Sequence, residues 1–217
     1  FKSVSNCYSI INNDTATTTI NGGNFVASRG VVCTNDGTVE INGGTFKCQT
    51  PKWTLNSHDT AKGTIVVKGG TFYGFNPANC TTEGANTNFC AEGLCGYVVE
   101  TVDGVDFYGV AAAVATVGEA KFATLDAAIA AAGAEDEVVV VADIATDAAF
   151  EITKKVTINL NGKTIATAQA DTEGNGVFWV KAGGELTLNG EGTVNGVGGN
   201  AYNIAIWADG GKVIING

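Results

Sequence analysis

Six cysteines (Cys7, Cys33, Cys48, Cys80, Cys90 and Cys95) are the residues of this 217-residue sequence whose chemistry bears most directly on its fold. The even count fits disulfides formed in an oxidising compartment, with the pairing left open, and buried thiols are the alternative. Zinc is disfavoured, because the tightest spacing, Cys90 to Cys95, is loose for a tetrahedral site and His58 is the only histidine. His58 stands between Ser57 and Asp59. Adjacent residues point in different directions, so this triplet is a surface turn and not a hydrolytic triad. Glycoside hydrolysis needs two carboxylates facing each other across a cleft. Glu83 with Glu92, and Glu185 with Glu191, lack the neighbouring aromatics of a sugar subsite and read as solvated charges. Asp14, Asp36, Asp59 and Asp209 precede aligned turns. Such a ladder of carboxylates offers oxygen ligands to calcium, but Asp in a turn more often accepts hydrogen bonds from its own backbone. No catalytic, cofactor-binding or metal-ligating residue is assigned, and the chain is read as a non-enzyme that needs no cofactor.

Trp53, Trp179 and Trp207 lie inside strand-like phrases, the last two at matching places in consecutive repeats. They are the candidate interface or glycan contacts, because Trp is seldom wholly buried and its flat ring suits either partner. Asn13-Asp14-Thr15 and Asn79-Cys80-Thr81 match glycosylation sequons and are read as chance. With 12 Lys and Arg against 22 Asp and Glu, the net charge of −10 argues against nucleic acid and anionic membranes as partners. The longest apolar runs, "VAAAVATV" and "VVVVA", are far too short to span a bilayer, so membrane insertion is not expected. The sequence contains no Met, which reads as a processed product or as part of a longer chain.

The elements that would position these residues follow from a repeated phrase. Ile20-Asn21-Gly22 recurs as Ile41-Asn42-Gly43 and as Val67-Lys68-Gly69, and Leu160-Asn161-Gly162 as Leu188-Asn189-Gly190 and Ile215-Asn216-Gly217. The steps of 21, 26, 28 and 27 residues, each holding two or three short β-branched runs such as "TVEI" and "TIVV", are the signature of a β-solenoid. Thirty glycines serve its corners. A leucine-rich repeat fails for lack of its spacing and of a helix per repeat. The expected inward columns are Ile11, Cys33 and Leu55, and Ile20, Ile41 and Val67.

One stretch breaks this pattern. "KFATLDAAIAAAGA" places Phe122, Leu125, Ile129 and Ala132 at helical spacing, with Thr124 as N-cap and Gly133 as C-cap, predicting one short capping helix near 121–133. "GYVVETVDGVDFYGV" predicts a hairpin near 96–110 that turns at Asp103-Gly104. The expected organisation is therefore β-helix coils over 1–95 that end in a cysteine-containing cap, hairpin and capping helix over 96–136, and further coils over 137–217, open at their far end.

The phrases "TINLNGKTI", "FWVKAGGELTLNGEGTVNG", "IAIWADGGKVIING" and "GGTFYGFNPAN" together resemble right-handed parallel β-helix proteins, a pectate-lyase-like family found in gut-phage virions and bacterial surface fibres. The resemblance covers nearly the whole chain. It implies an all-β, right-handed parallel β-helix and an extracellular setting, on a cell or virion surface. Enzymes of that fold also use a Lys or Arg base, and Arg29 is the only arginine here. Relative to such proteins the order of segments is circularly permuted, so "VIING" at 213–217 reads as a coil awaiting another. The expected function is that of a structural protein of a fibre, filament or virion appendage, assembling head to tail with itself. The alternative is a carbohydrate-binding or polysaccharide-depolymerising tailspike or adhesin module whose partners are host glycans.

Overall fold

The computed structural model describes residues 1–2, 6–57, 63–167, 176–196 and 204–217. Among the described residues, 54% lie in strands and 5% in helix, so the fold is all-β with parallel sheets. The chain divides into two compact units, Phe1–Ala112 and Ala113–Gly217. That division falls inside the 96–136 stretch, giving its hairpin to the first unit and its helix to the second.

The first unit contains β1 (Tyr8–Asn12), β2 (Thr17–Ile20), β3 (Asn24–Ala27), β4 (Gly30–Thr34), β5 (Thr38–Ile41), β6 (Thr45–Cys48), β7 (Leu55–Ser57), β8 (Thr64–Val67) and β9 (Thr71–Tyr73). Each sheet takes every third strand: β1-β4-β7, β2-β5-β8 and β3-β6-β9, all parallel. Residues two apart face the same side of a strand. Val39 and Ile41 are therefore buried while Thr38 and Glu40, which alternate with them, are only half-buried. Like residues then stack on like: Ile20, Ile41 and Val67 share one register, and the rings of Phe1, Phe25, Phe46 and Phe72 pile up at 5.3, 5.1 and 4.9 Å. The repeated Gly pair serves the corner ahead of this pile. Gly23, Gly44 and Gly70 adopt φ of 116, 114 and 111°, where a side chain is strained.

A hairpin of β10 (Leu94–Val102) and β11 (Val105–Ala112) continues the third sheet, with β11 running antiparallel to β9. Asp103 and Gly104 turn it with φ of 53 and 76°, as a type I′ turn requires. The loop before the hairpin sends Phe75, Cys80 and Phe89 into the same core.

The second unit opens with β12 (Ala115–Val117), β13 (Ala120–Phe122) and α1 (Leu125–Ala131). Next come β14 (Glu137–Val140), β15 (Ile144–Thr146), β16 (Phe150–Ile152), β17 (Lys155–Asn159), β18 (Thr164–Thr167), β19 (Phe178–Lys181), β20 (Glu185–Asn189), β21 (Thr193–Asn195), β22 (Ile206–Asp209) and β23 (Lys212–Ile215). Again each sheet takes every third strand: β14-β17-β20-β23, β15-β18-β21 and β16-β19-β22. The antiparallel pair β12–β13 covers the β14 edge, and α1 buries Leu125, Ala128 and Ile129 in the same core. Thr124 Oγ1 accepts from Ala127 N at 3.3 Å at one end of the helix. Lys154 Nζ donates to the Ala130 and Ala132 carbonyls at 2.9 and 2.7 Å at the other, where helix carbonyls lack partners.

Several expectations are corrected. The helix is shorter than 121–133, because Phe122 lies on β13, and its C-cap is Ala132 rather than Gly133. Ile11 does not join an inward column: it is 52% exposed, and Leu55 pairs with Val32, which pairs with Ile10, while Cys33 pairs with Asn56. Leu188 stacks on Ile158, two residues before Leu160. The six cysteines form no disulfide. Cys33 and Cys48 lie on strands of different sheets, and thiols find local acceptors: Cys80 Sγ donates to Thr87 O at 3.4 Å and Cys95 Sγ to Ala111 O at 3.7 Å.

Candidate functional site

The outward face of the β16-β19-β22 sheet gathers the richest set of polar and aromatic side chains. The register sets Glu151 beside Trp179 and Trp179 beside Trp207, with Lys181 beside Asp209. Phe178 and Val180 of the same strand are fully buried, so the alternation along β19 turns Trp179 and Lys181 to the outside. The two indoles stack at 5.5 Å between centroids with planes 10° apart. Trp179 Nε1 donates to Asp209 Oδ2 at 3.2 Å. Lys181 Nζ lies 3.9 Å from the Trp179 ring centroid and bonds Glu151 Oε2 at 2.7 Å, which places the ammonium on the β16 side of the ring.

These contacts limit what the face can do chemically. Both carboxylates already have partners, Glu151 the ammonium and Asp209 the indole N–H. The rings face along the ladder, so Trp179 is covered by Lys181 on one side and by Trp207 on the other. Trp207, at the end of this stack, is half-buried. Glu151 and Lys181 were not singled out in the sequence, although Lys181 stands two residues after Trp179 and must share its side of the strand.

Beside this face, the outer edge of the second unit's core opens into an apolar recess of about 460 Å³ lined by Leu160, Leu188, Val194, Ile206 and Ile215. Ile215 is 63% exposed there. Another recess, of about 380 Å³, lies between the start of α1 and β15 and includes Asp126 and Asp143. Asp143 Oδ1 already accepts from Thr164 N at 2.8 Å.

The remaining predicted residues are scattered. Trp53, 38% exposed, belongs to a short 3-10 turn at Pro51–Trp53 in the first unit. Glu83 Oε1 accepts from Ser57 N at 2.8 Å, and Glu185 Oε2 from Lys212 Nζ at 3.1 Å. Asp36 Oδ1 accepts from Gly37 N at 2.8 Å and Asp14 holds a φ of 59°, both in turns. His58 and Asp59 lie outside the described residues. Among the described residues no group of three His, Cys, Asp or Glu is placed to hold a metal ion, and no helix is long and apolar enough to cross a membrane.

Comparison with known proteins returns no match among family models, curated proteins or solved structures.

Proposed function

We propose that the chain is a structural protein of an extracellular fibre, filament or virion-surface appendage, and that each unit is a module of a right-handed parallel β-helix. The observation that carries this reading is the repetition of one strand order in both units, with identical side chains stacked on themselves as in the Phe25–Phe46–Phe72 pile. Stacked repeats bury a continuous core and contact only their neighbours, which favours elongation over a catalytic cleft. The sequence resemblance supports a site on a cell or virion exterior. Assembly proceeds by adding modules head to tail. Electron microscopy of the purified protein, with light scattering over a concentration series, tests this. Rods or growing oligomers are expected, and particles that stay single chains up to millimolar concentration would reject the assembly reading.

The outward Trp179–Trp207 pair favours a second reading, a glycan-binding or polysaccharide-depolymerising module, since indoles flanked by acids and a lysine resemble a sugar platform. A glycan array and a reducing-end release assay decide it. Binding or cleavage that disappears in Trp179→Ala and Trp207→Ala would replace the structural reading.

A further inference from the structure

We propose that the outer edge of β10 is a docking site for another polypeptide, an extended segment of alternating basic and apolar residues that adds to the sheet as a further strand. The site goes beyond the assembly reading above and does not depend on it, because β10 lies in mid-chain and within the first unit.

The backbone of this edge is placed to pair. β10 is the last strand of the β10-β11-β9-β6-β3 sheet, and among the described residues no strand pairs with its far side. One contact sets the phase of its hydrogen bonds. The Asp106 carbonyl of β11 accepts from Gly74 N at 2.8 Å, just beyond β9 and away from β10. Bonded and non-bonded positions alternate in an antiparallel pair, so Asp106 and Tyr108 are the non-bonded positions towards β10. Their partners are Thr101 and Val98, whose N–H and C=O groups therefore point away from β11. Strand edges are commonly blunted with Pro or Lys, and β10 contains neither.

The side chains of this edge are largely apolar yet face solvent. All six residues Tyr97–Val102 are exposed, with Val98 at 47% and Val99 at 50%. Tyr97 and Val99 share the outward side of the sheet over Gly109, where an added Cβ would come within 2.9 Å of the Tyr97 ring and 2.8 Å of Val99 Cγ2. Gly109 pairs with Thr71, the neighbour of the fully buried Phe72, which fixes that side as outward. The register shift between Val98 and Glu100 adds one residue to β10, so Glu100, beside Phe107, joins Tyr97 and Val99 there. Val98, beside Tyr108, takes the other side. An incoming strand, whose own side chains alternate, thus finds aliphatic contacts on both faces.

Charge names the partner. Residues 69–120 hold six carboxylates (Glu83, Glu92, Glu100, Asp103, Asp106 and Glu119) and no Lys, Arg or His. In the hairpin, Asp106 is engaged by Thr101 Oγ1 at 2.7 Å and by Tyr108 OH at 3.2 Å, while Glu100 and Asp103 are exposed. Lys47, a cation of the same sheet, is held 4.1 Å from the Tyr73 ring centroid on β6, with β9 and β11 between it and β10. A second copy would bring the same acids and a net charge of −10 to the joint. A basic segment matches them instead, and its apolar residues cover the valines.

Isothermal titration of the full chain with a blocked peptide of Lys-Val repeats, at physiological ionic strength, tests the site. Binding is expected. Glu-Val repeats reverse the charge, and Lys-Lys-Pro-Pro repeats keep it but cannot extend a sheet, so both should bind about tenfold or more weakly. Val98→Pro removes an edge N–H that β11 does not use, and should weaken Lys-Val binding by a similar factor with the far-UV circular dichroism unchanged. Glu100→Lys alters an exposed side chain, should also weaken binding, and carries the test if Val98→Pro unfolds. No binding of Lys-Val repeats would overturn the site. So would equal binding of the Lys-Lys-Pro-Pro peptide, or variants that bind like the wild type, since the attraction is then diffuse charge. Self-association of the wild type that Val98→Pro abolishes would give the edge to a second copy and reject the basic partner. Each of these failures leaves the structural reading standing.

Discussion

Trp207 lies flat against Trp179, 5.5 Å away with the planes 10° apart, and the two residues are paired neighbours on β22 and β19. Indoles this close and parallel couple their electronic transitions, so the near-ultraviolet circular dichroism should carry a strong tryptophan signal. Trp207→Ala is expected to abolish that signal and cost about 0.5–1.5 kcal/mol beyond lost burial. A spectrum unchanged by the substitution would contradict the stack.

Phe46 is the middle ring of its pile and fully buried, whereas Phe1 at one end of the pile is 81% exposed. Phe46→Ala should therefore destabilise the first unit by about 3–5 kcal/mol. Phe1→Ala removes one ring face of contact and little burial, so its cost should be well under half of that. Urea titration followed by a probe confined to the first unit measures both.

Gly44 turns the corner at φ of 114°, and a Cβ there would approach the Phe46 ring to 3.3 Å and the Gly23 carbonyl oxygen to 3.1 Å. Gly44→Ala combines backbone strain with a contact that the packed ring cannot easily yield. A loss of about 1–3 kcal/mol is expected, read as a lowered denaturation midpoint with an unchanged slope.

Burial pushes the Cys33 and Cys48 thiols above their usual range, with the nearby Glu83 carboxylate adding to the effect at Cys33. The folded chain holds these protons more tightly than the unfolded chain does. Stability is therefore full below about pH 8.5, the ordinary thiol value, and declines as pH rises from there through the folded values. Replacing both residues with Ala should flatten that alkaline limb of a stability–pH curve. The native thiols should also resist thiol reagents near neutral pH, becoming reactive only in denaturant.

The parts of the fold that could be read in the sequence are those with a local steric cause. The Gly pair after Ile20, Ile41 and Val67 marks a corner, so their shared register followed directly, as did the Asp103-Gly104 turn. The β1-β4-β7 sheet lacked such a marker. A slip of one residue there exchanges one face of the strand for the other, so the sequence pattern sets Ile11 and Cys33 with Leu55, whereas Ile10, Val32 and Leu55 form the column. The same happened at Leu160, where "LNG" resembles the later phrase but the strand that pairs with β20 ends sooner, at Asn159. Alternation over "KFA" is too brief to separate a strand from the first turn of a helix, so the sequence pattern alone does not divide β13 from α1. The Trp179–Trp207 pair was visible because matching positions in successive repeats must become neighbours. The Lys181–Glu151 contact was not, because Glu151 lies in a repeat with no tryptophan to draw attention to it.

The parallel register has a metrical consequence. Thr38 follows Thr17 by 21 residues and Thr64 follows Thr38 by 26, while Leu186 follows Val156 by 30. Every one of these steps advances its sheet by a single strand spacing of about 4.8 Å. Within a unit, then, residues inserted between strands leave the number of strands in each sheet unchanged, whereas a duplicated repeat widens all three sheets by one strand. Each sheet grows as a ruler is graduated, in whole divisions.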